Sequence, residues 1–277
     1  MTRGAPYAAV IVLHESRDEL TVLLDSLRAI DGPRLYVVDT GRDDGGADLA
    51  RAHGAELIEL RDNPGFGAAT NAALQIVDED VAILLNPDTI AIDDSLPRLA
   101  DIARRHDGFH APRLLNCDGS TQRSAHPLPG TVGAFLPALL PWLPSALRRR
   151  AEPYRSETAT TVGWAIAAAL AARTETLRRF PFDPSIHLFA EDMDVCLRAR
   201  DHGVRTIYHP QLRLIHTGRH SVETEPYVQL ARNRHDVLHS RLDDAAQLLT
   251  FATRAAIKRP NDKERAQLSA LLEVLRS

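Results

Sequence analysis

Between Leu188 and Arg198 the chain reads LFAEDMDVCLR, which gathers Glu191, Asp192 and Asp194 at the start of a helix-like pattern. Acids in a first helical turn complement the macrodipole, and Asp194 with Arg198 has ordinary i,i+4 pairing, so part of this cluster reads as helix-surface chemistry. Three clustered acids, in the company of the segments that precede and follow them, also suggest a working site. The segment LLNPDT (Leu84 to Thr89) ends an apolar run with Asn86 and Asp88 on either side of a proline. Read blandly it is a turn. Read chemically, it presents a carboxylate on a stiff extended segment to a hard cation, since Mg²⁺ and Mn²⁺ are commonly held by one or two carboxylates together with substrate phosphates. Further on, LRLIHTGRHS places His216 at the end of another apolar run, where it is either a surface histidine or a nitrogen ligand to the same ion, with His220 a competitor close by.

Two earlier segments have the composition of ligand-binding turns. VVDTGRDDGG (Val37 to Gly46) puts Asp39 directly after a buried run, followed by Asp44 and two glycines. A carboxylate at a strand end caps the following helix or accepts a nucleobase imide or ribose hydroxyl. NPGFGAATN (Asn63 to Asn71) brings Asn63, Gly65, Phe66 and Asn71 into a strand-to-helix turn where the backbone needs glycine freedom. Its spacing is not the dinucleotide fingerprint, which wants G-x-G-x-x-G after the first strand, and this argues against an oxidoreductase.

The elements that must position these residues follow from periodicity. Apolar runs at 8–13, 35–38, 56–60 and 81–85 alternate with helical patterns at 18–30, 47–53 and 68–77, which predicts βαβαβαβ and a mostly parallel sheet flanked by helices. Ligands bind such sheets at the carboxyl ends of the strands. Those ends are the loop that begins at His14 and the loops that carry Asp39, Asn63 and Asn86, so one crevice is expected. A helix over 93–106 and strand candidates at 109–115 and 121–123 come next. After them comes a proline-rich stretch in which Phe135, Leu139, Leu140, Trp142 and Leu143 precede Arg148, Arg149 and Arg150. It reads as a loop packed on the core, or as an element that meets an acceptor or a membrane surface. From Glu225 onward the pattern is helical, broken near 258–262.

In order, these pieces resemble the inverting family-2 glycosyltransferases of the GT-A fold, in particular their rhamnosyltransferase-like bacterial members. The resemblance runs through Asp39, Asp44 and Gly45; Asn63, Gly65, Phe66 and Asn71; Asn86, Pro87 and Asp88; Phe182 and Asp183; Glu191, Asp192, Asp194 and Arg198; and His216. It extends to PRLLNCDGSTQRS (Pro112 to Ser124) and YVQLARNR (Tyr227 to Arg234). It implies an α/β GT-A catalytic domain over 1–224, with a nucleotide-binding half to about 107, an acceptor-side half from about 108, an insert at 127–157, and a C-terminal helical segment over 225–277. It implies a nucleotide sugar donor, dTDP- or UDP-linked, contacted by His14, Asp39, Asp44, Asn63, Gly65, Phe66, Asn71 and Asn86. It further implies a divalent cation, Mg²⁺ or Mn²⁺, held by Asp88 and His216, with Asp192 as general base and Glu191 as the alternative. The expected reaction moves a deoxyhexose such as rhamnose to a saccharide or lipid-linked saccharide hydroxyl. The chain departs from the family pattern where Thr-Tyr-Asn gives way to Leu13, His14 and Glu15, and where an Asn and a Ser give way to Thr40 and Arg42.

Bulk properties narrow the rest. The 277 residues carry a net charge of −4, so no global basic field argues for nucleic acid. Two cysteines far apart fit a reducing compartment, and the short first apolar run reads as a buried strand rather than a signal peptide. A cytoplasmic enzyme is expected, with peripheral contact at the inner face of the membrane open through the insert. Two rivals remain. A nucleotide-sugar-binding module without catalysis sits badly with Asp88, Glu191, Asp192 and His216 together, and a nucleotidyltransferase would carry a glycine after the first strand, which 14–18 lacks.

Overall fold

The computed structural model describes residues 6–30, 32–60, 62–129, 131, 151–218, 225–238, 241–257 and 262–275. The apolar insert at 135–150, on which the acceptor or membrane expectation rests, lies outside the described residues. The first half alternates as the periodicity predicts. Strands β1 (Ala8–Leu13), β2 (Arg34–Asp39), β3 (Glu56–Glu59) and β4 (Val81–Leu85) are separated by helices α1 (Arg17–Leu27), α2 (Gly46–Ala52) and α3 (Phe66–Ile76). The strands pair in parallel in the order β3-β2-β1-β4. β1 is buried on both faces: Ala8 and Val10 join one core layer, while Ala9, Ile11 and Leu13 join the layer on the other side. That double burial is why the run is continuously apolar. In register, Leu13 lies beside Asp39 and Asp39 beside Glu59, so three strand ends stop at one level and their loops open on one edge of the sheet.

The second half completes the sheet with both directions. After β5 (Thr89–Ala91) and α4 (Ser95–Arg105) come β6 (Phe109–Leu115), β7 (Ala125–His126), β8 (Thr160–Val162), β9 (Trp164–Ala165), β10 (Ala169–Arg173) and β11 (Thr206–His216). The order continues β4-β10-β6-β11-β5. β10 is antiparallel to both its neighbours, β11 is parallel to β6, and β5 is antiparallel to β11. Three of the five residues of β10 are alanine because the strand is buried on both faces between larger neighbours, with Leu170 and Ala172 in one layer and Ala169 and Ala171 in the other.

Between β9 and β10, at 166–168, the backbone leaves the ladder to meet other groups at the sheet edge. One detail differs from the sequence expectation. The strand expected at 121–123 is a single bridge, Thr121 to Leu115, and the true short strand is β7, which pairs with β9. The helices Glu191–Asp201, Glu225–Leu238, Arg241–Ile257 and Asp262–Val274 follow, the last three forming the helical end of the chain. Among the described residues no helix is long and apolar enough to cross a membrane.

The alanines of β10 leave no room to grow. Replacing Ala171, which is 0% exposed, with Leu is expected to cost about 1–3 kcal/mol, read as a lower urea midpoint at an unchanged m-value.

Candidate active site

Asp88 and His216 are distant in the chain and adjacent in space because β5 begins one residue after Asp88 and pairs with the end of β11, with Thr89 opposite His216. His216 Nε2 lies 3.3 Å from Asp88 Oδ1, and both side chains are largely buried. The Gly218 amide donates to Asp88 Oδ2 (3.0 Å), and the Thr217 amide donates to the Asp88 carbonyl (2.9 Å). Gln122 orients the ring. Its Nε2 donates to the His216 carbonyl, which turns its Oε1 towards His216 Nδ1 at 2.9 Å. Nδ1 therefore donates to Gln122, and Nε2 faces the Asp88 carboxylate, an arrangement that a proton on Nε2 or a shared cation satisfies. Among the described residues no three His, Cys, Asp or Glu side chains group to hold a metal by themselves, so an ion here would draw its other ligands from substrate or water.

The carboxylate pair opens the Glu191–Asp201 helix. Its N-cap, Ala190, is left-handed (φ 70°), as is Phe189 before it (φ 68°), and no side chain caps the helix. Asp192 Oδ1 accepts from the Met193 amide (2.7 Å), and Oδ2 accepts from the Ala167 amide (3.2 Å). The neighbouring Ala168 carbonyl accepts from the Asn86 amide (3.0 Å). The break between β9 and β10 thus touches the Asn86–Asp88 turn with one residue and Asp192 with the next. Burial pushes the Asp192 carboxyl up from its ordinary value against the pull of those amides. Burial raises Glu191 further, with the nearby Asp192 charge adding to it. Glu191 is 7% exposed, and its Oε2 has no hydrogen-bond partner among the described residues.

The turns after β1 and β2 meet as expected. Thr40 donates its amide (2.9 Å) and its hydroxyl (3.0 Å) to the Leu13 carbonyl, and its Oγ1 lies 3.3 Å from His14 Nδ1. Asp39 is half-buried and accepts from the Gly41 amide at 3.1 Å. Burial raises its pKa. Asp44 uses both oxygens on backbone, accepting from the Arg17 amide (3.0 Å) and the Gly46 amide (2.8 Å), so it fastens the turn to the start of α1. The third segment packs against a distant part of the chain. Asn71 donates to the Phe182 carbonyl (2.8 Å) and accepts from its amide (3.0 Å), which uses both ends of its side chain. Phe66 packs edge-on against Phe182 with centroids 5.8 Å apart. A Cβ on Gly65, whose φ is +90°, would collide with the His187 carbonyl, and that carbonyl accepts from the Phe66 amide (3.2 Å). Gly65, Phe66 and Asn71 therefore hold the 182–187 segment that leads into the acidic helix. Asn63 is itself left-handed (φ 37°) and accepts from the Gly65 amide at 3.3 Å, which shapes the turn.

Gln122 and the backbone of Ala167 and Ala168 carry no signature in the sequence. Gln122 lies inside the Pro112 to Ser124 motif, yet its link to His216 is visible only in space, and an alanine amide has no side chain to announce it.

Residues 8–169 match the family model described as Glycosyl transferase family 2. The chain belongs to that family. It is a glycosyltransferase, and the matched stretch spans the sheet from β1 to the start of β10. Rhamnosyltransferase WbbL of Escherichia coli (strain K12) is 28% identical over 225 residues, covering 76% of this chain and 83% of that protein. The fold is GT-A. The mannosyltransferase PcManGT from Pyrobaculum calidifontis, solved in complex with GDP-Man and Mn²⁺, superposes with a TM-score of 0.58 at 15% identity, covering 99% of this chain and 70% of that one. S. aureus TarS 1-349 in complex with UDP gives 0.56 at 16% identity, covering 92% and 73%. In this glycosyltransferase a cavity of about 760 Å³ opens beside His216 and Thr217 and runs past Trp164, Tyr154 and Arg234. The Trp164 ring is stacked on His126 with centroids 4.0 Å apart.

The buried Glu191 gives a stability test. A carboxyl whose pKa is raised on folding binds its proton more tightly in the native state, so stability is lost as pH rises from the ordinary glutamate range through the raised value. Glu191→Gln removes that ionisation at nearly constant shape. Its Tm is expected to match the wild type in acid and to exceed it increasingly as pH rises through neutrality, and melting curves across pH check this.

Proposed function

We propose that the protein is an inverting, metal-dependent glycosyltransferase that moves a deoxyhexose, rhamnose in the first instance, from a dTDP- or UDP-linked donor to a hydroxyl of a saccharide or glycolipid. The observation that carries this reading is the path Asp88–Asn86–Ala168–Ala167–Asp192, which sets a cation-ready pair and a carboxylate at opposite sides of one short backbone bridge. The likeness to rhamnosyltransferase WbbL supports the donor sugar.

Each group has a task in this reading. Asp39, at the end of β2, takes the nucleobase or ribose, and His14 borders that site from β1. Asn86 and Asp88 face the diphosphate. His216 joins Asp88 as ligand to Mg²⁺ or Mn²⁺, and the buried Thr217 hydroxyl, which has no partner among the described residues, would meet a phosphate oxygen or a water. The cation, when bound, supplies a Lewis acid for the charge that grows on the departing diphosphate. Asp192 accepts the proton of the acceptor hydroxyl as its oxygen attacks the anomeric carbon from the face opposite the diphosphate, so the new bond has inverted configuration. The neighbour Glu191, whose pKa is raised above that of Asp192, holds a proton when Asp192 is ionised, which keeps a single negative charge in the pair. The cavity past Trp164 receives the acceptor, with the indole and the His126 ring as an apolar platform.

Asp192→Asn is expected to lower kcat by a factor of about 10³ while nucleotide affinity stays within about twofold, because the base acts on the attacking hydroxyl and adds little to ground-state donor binding. In the wild type the rate should fall as pH drops, with its midpoint above the ordinary carboxylate range since burial raises Asp192. Full activity in Asp192→Asn would remove Asp192 from this role. Chelation with EDTA should abolish transfer and Mn²⁺ should restore it, and Asp88→Asn should need at least about tenfold more Mn²⁺ for half-maximal rate, since second carboxylate donors are absent from the pair. Transfer that persists in EDTA would overturn the metal assignment.

A further inference from the structure

The helix that bears Asp192 starts without a side-chain cap, from two consecutive left-handed residues, neither of them glycine. L-residues hold that conformation only where surroundings impose it. On one side the imposing contact is already described, the Phe66 amide on the His187 carbonyl. On the other it comes from a part of the chain beyond the family match. Asn233, in the Glu225–Leu238 helix, donates its Nδ2 to the Leu188 carbonyl at 2.7 Å and to the Phe189 carbonyl at 2.9 Å. Gln229, one turn earlier, donates its Nε2 to Asn233 Oδ1 at 2.6 Å, which fixes the amide with its nitrogen towards the turn. The next residue, Arg234, makes a two-pronged pair with Asp243 of the following helix (2.8 and 2.9 Å), and the Asp243 side chain is only 2% exposed. The clamp is therefore anchored to a second helix.

We propose that Asn233 is a positioning residue for Asp192. By holding the carbonyls of 188 and 189 it fixes where the Glu191–Asp201 helix begins, and so where the Asp192 carboxylate stands relative to the Ala167 amide. The proposal rests on the reading of Asp192 as base. It places the helical end of the chain inside the catalytic apparatus rather than beside it, since a residue of that end sets the geometry of a group it does not touch.

The test compares Asn233→Ala and Asn233→Gln with the full-length wild type by two measurements. The first is nucleoside diphosphate release from dTDP-rhamnose with Mn²⁺, with water as the acceptor. The second is amide hydrogen exchange. Asn233→Ala is expected to lower kcat for release at least about tenfold with the donor KM within about twofold, as misplacement of a reacting group by a fraction of an ångström does. Exchange should rise in peptides covering 187–194 and stay unchanged in those covering β1 and β2. Asn233→Gln, which keeps the amide donor, should recover part of both. Wild-type exchange at 187–194 in Asn233→Ala would overturn the clamp, as would a loss of kcat matched by raised exchange throughout the chain. If the wild type itself releases no diphosphate, the reading of the activity fails, and the exchange result still decides the clamp.

Discussion

The antiparallel pairing of β5 with the last residues of β11 is the constraint on which the site depends. β5 is only three residues long, and its partner is the final stretch of an eleven-residue strand. A slip of one residue would turn His216 to the opposite face of the sheet, because side chains alternate with a period of two. The register is protected by contacts on both flanks. The Thr217 amide on the Asp88 carbonyl extends the pairing beyond the strand, and the Arg213 amide on Ser95 Oγ ties β11 to the start of α4. The bulge between His209 and Arg213 absorbs the mismatch with β6, so that β11 can follow β6 at one end and meet β5 at the other.

Burial supplies the second ingredient. In water both carboxyls of the acidic helix would be ionised at neutral pH and would merely repel. Taken out of water they compete for charge, and the structure shares its donors unequally. Asp192 accepts from the Ala167 and Met193 amides, while Glu191 keeps an oxygen with no partner among the described residues. That asymmetry, rather than residue type, sets two adjacent acids apart, and no reading of the sequence could show it.

What the sequence made legible was local. The Val, Ile and Leu runs of β1 to β4 have one interpretation, and the polar residues that end them fall where such a sheet opens, so Asp39, Asn86, Asp88 and His216 could be named from strand ends alone. The motif around Asn71 reads equally well as a ligand turn or as packing, because its partner Phe182 is 111 residues away and nothing near Asn71 points to it. Gln122 and Asn233 were opaque for the same reason. Each forms its hydrogen bonds across a long stretch of chain, 94 positions from Gln122 to His216 and 45 from Asn233 to Leu188, and periodicity carries no information about such contacts. The break between β9 and β10 is hidden for a related reason: an alanine whose backbone turns aside to bind Asn86 or Asp192 is indistinguishable, as a letter, from one that stays in the ladder.

The departures from the family pattern around the nucleotide loops have a physical order of their own. Glu15 and Arg42, which stand where the pattern has other residues, lie on facing loops and pair with each other at 2.7 Å, with Arg42 open to solvent and Glu15 partly so. An ion pair so exposed adds little to stability. The loop path is set by backbone instead: the Thr40 amide on the Leu13 carbonyl, the Arg17 amide on Asp44, and Gly41, where a Cβ would stand 2.7 Å from the Glu15 amide nitrogen. Side chains at 15 and 42 can therefore change while Asp39 keeps its place. Such changes leave the Asp88–His216 pair undisturbed, because that pair is held by the pairing of β5 with β11 and by Gln122, none of which touches the loops after β1 and β2.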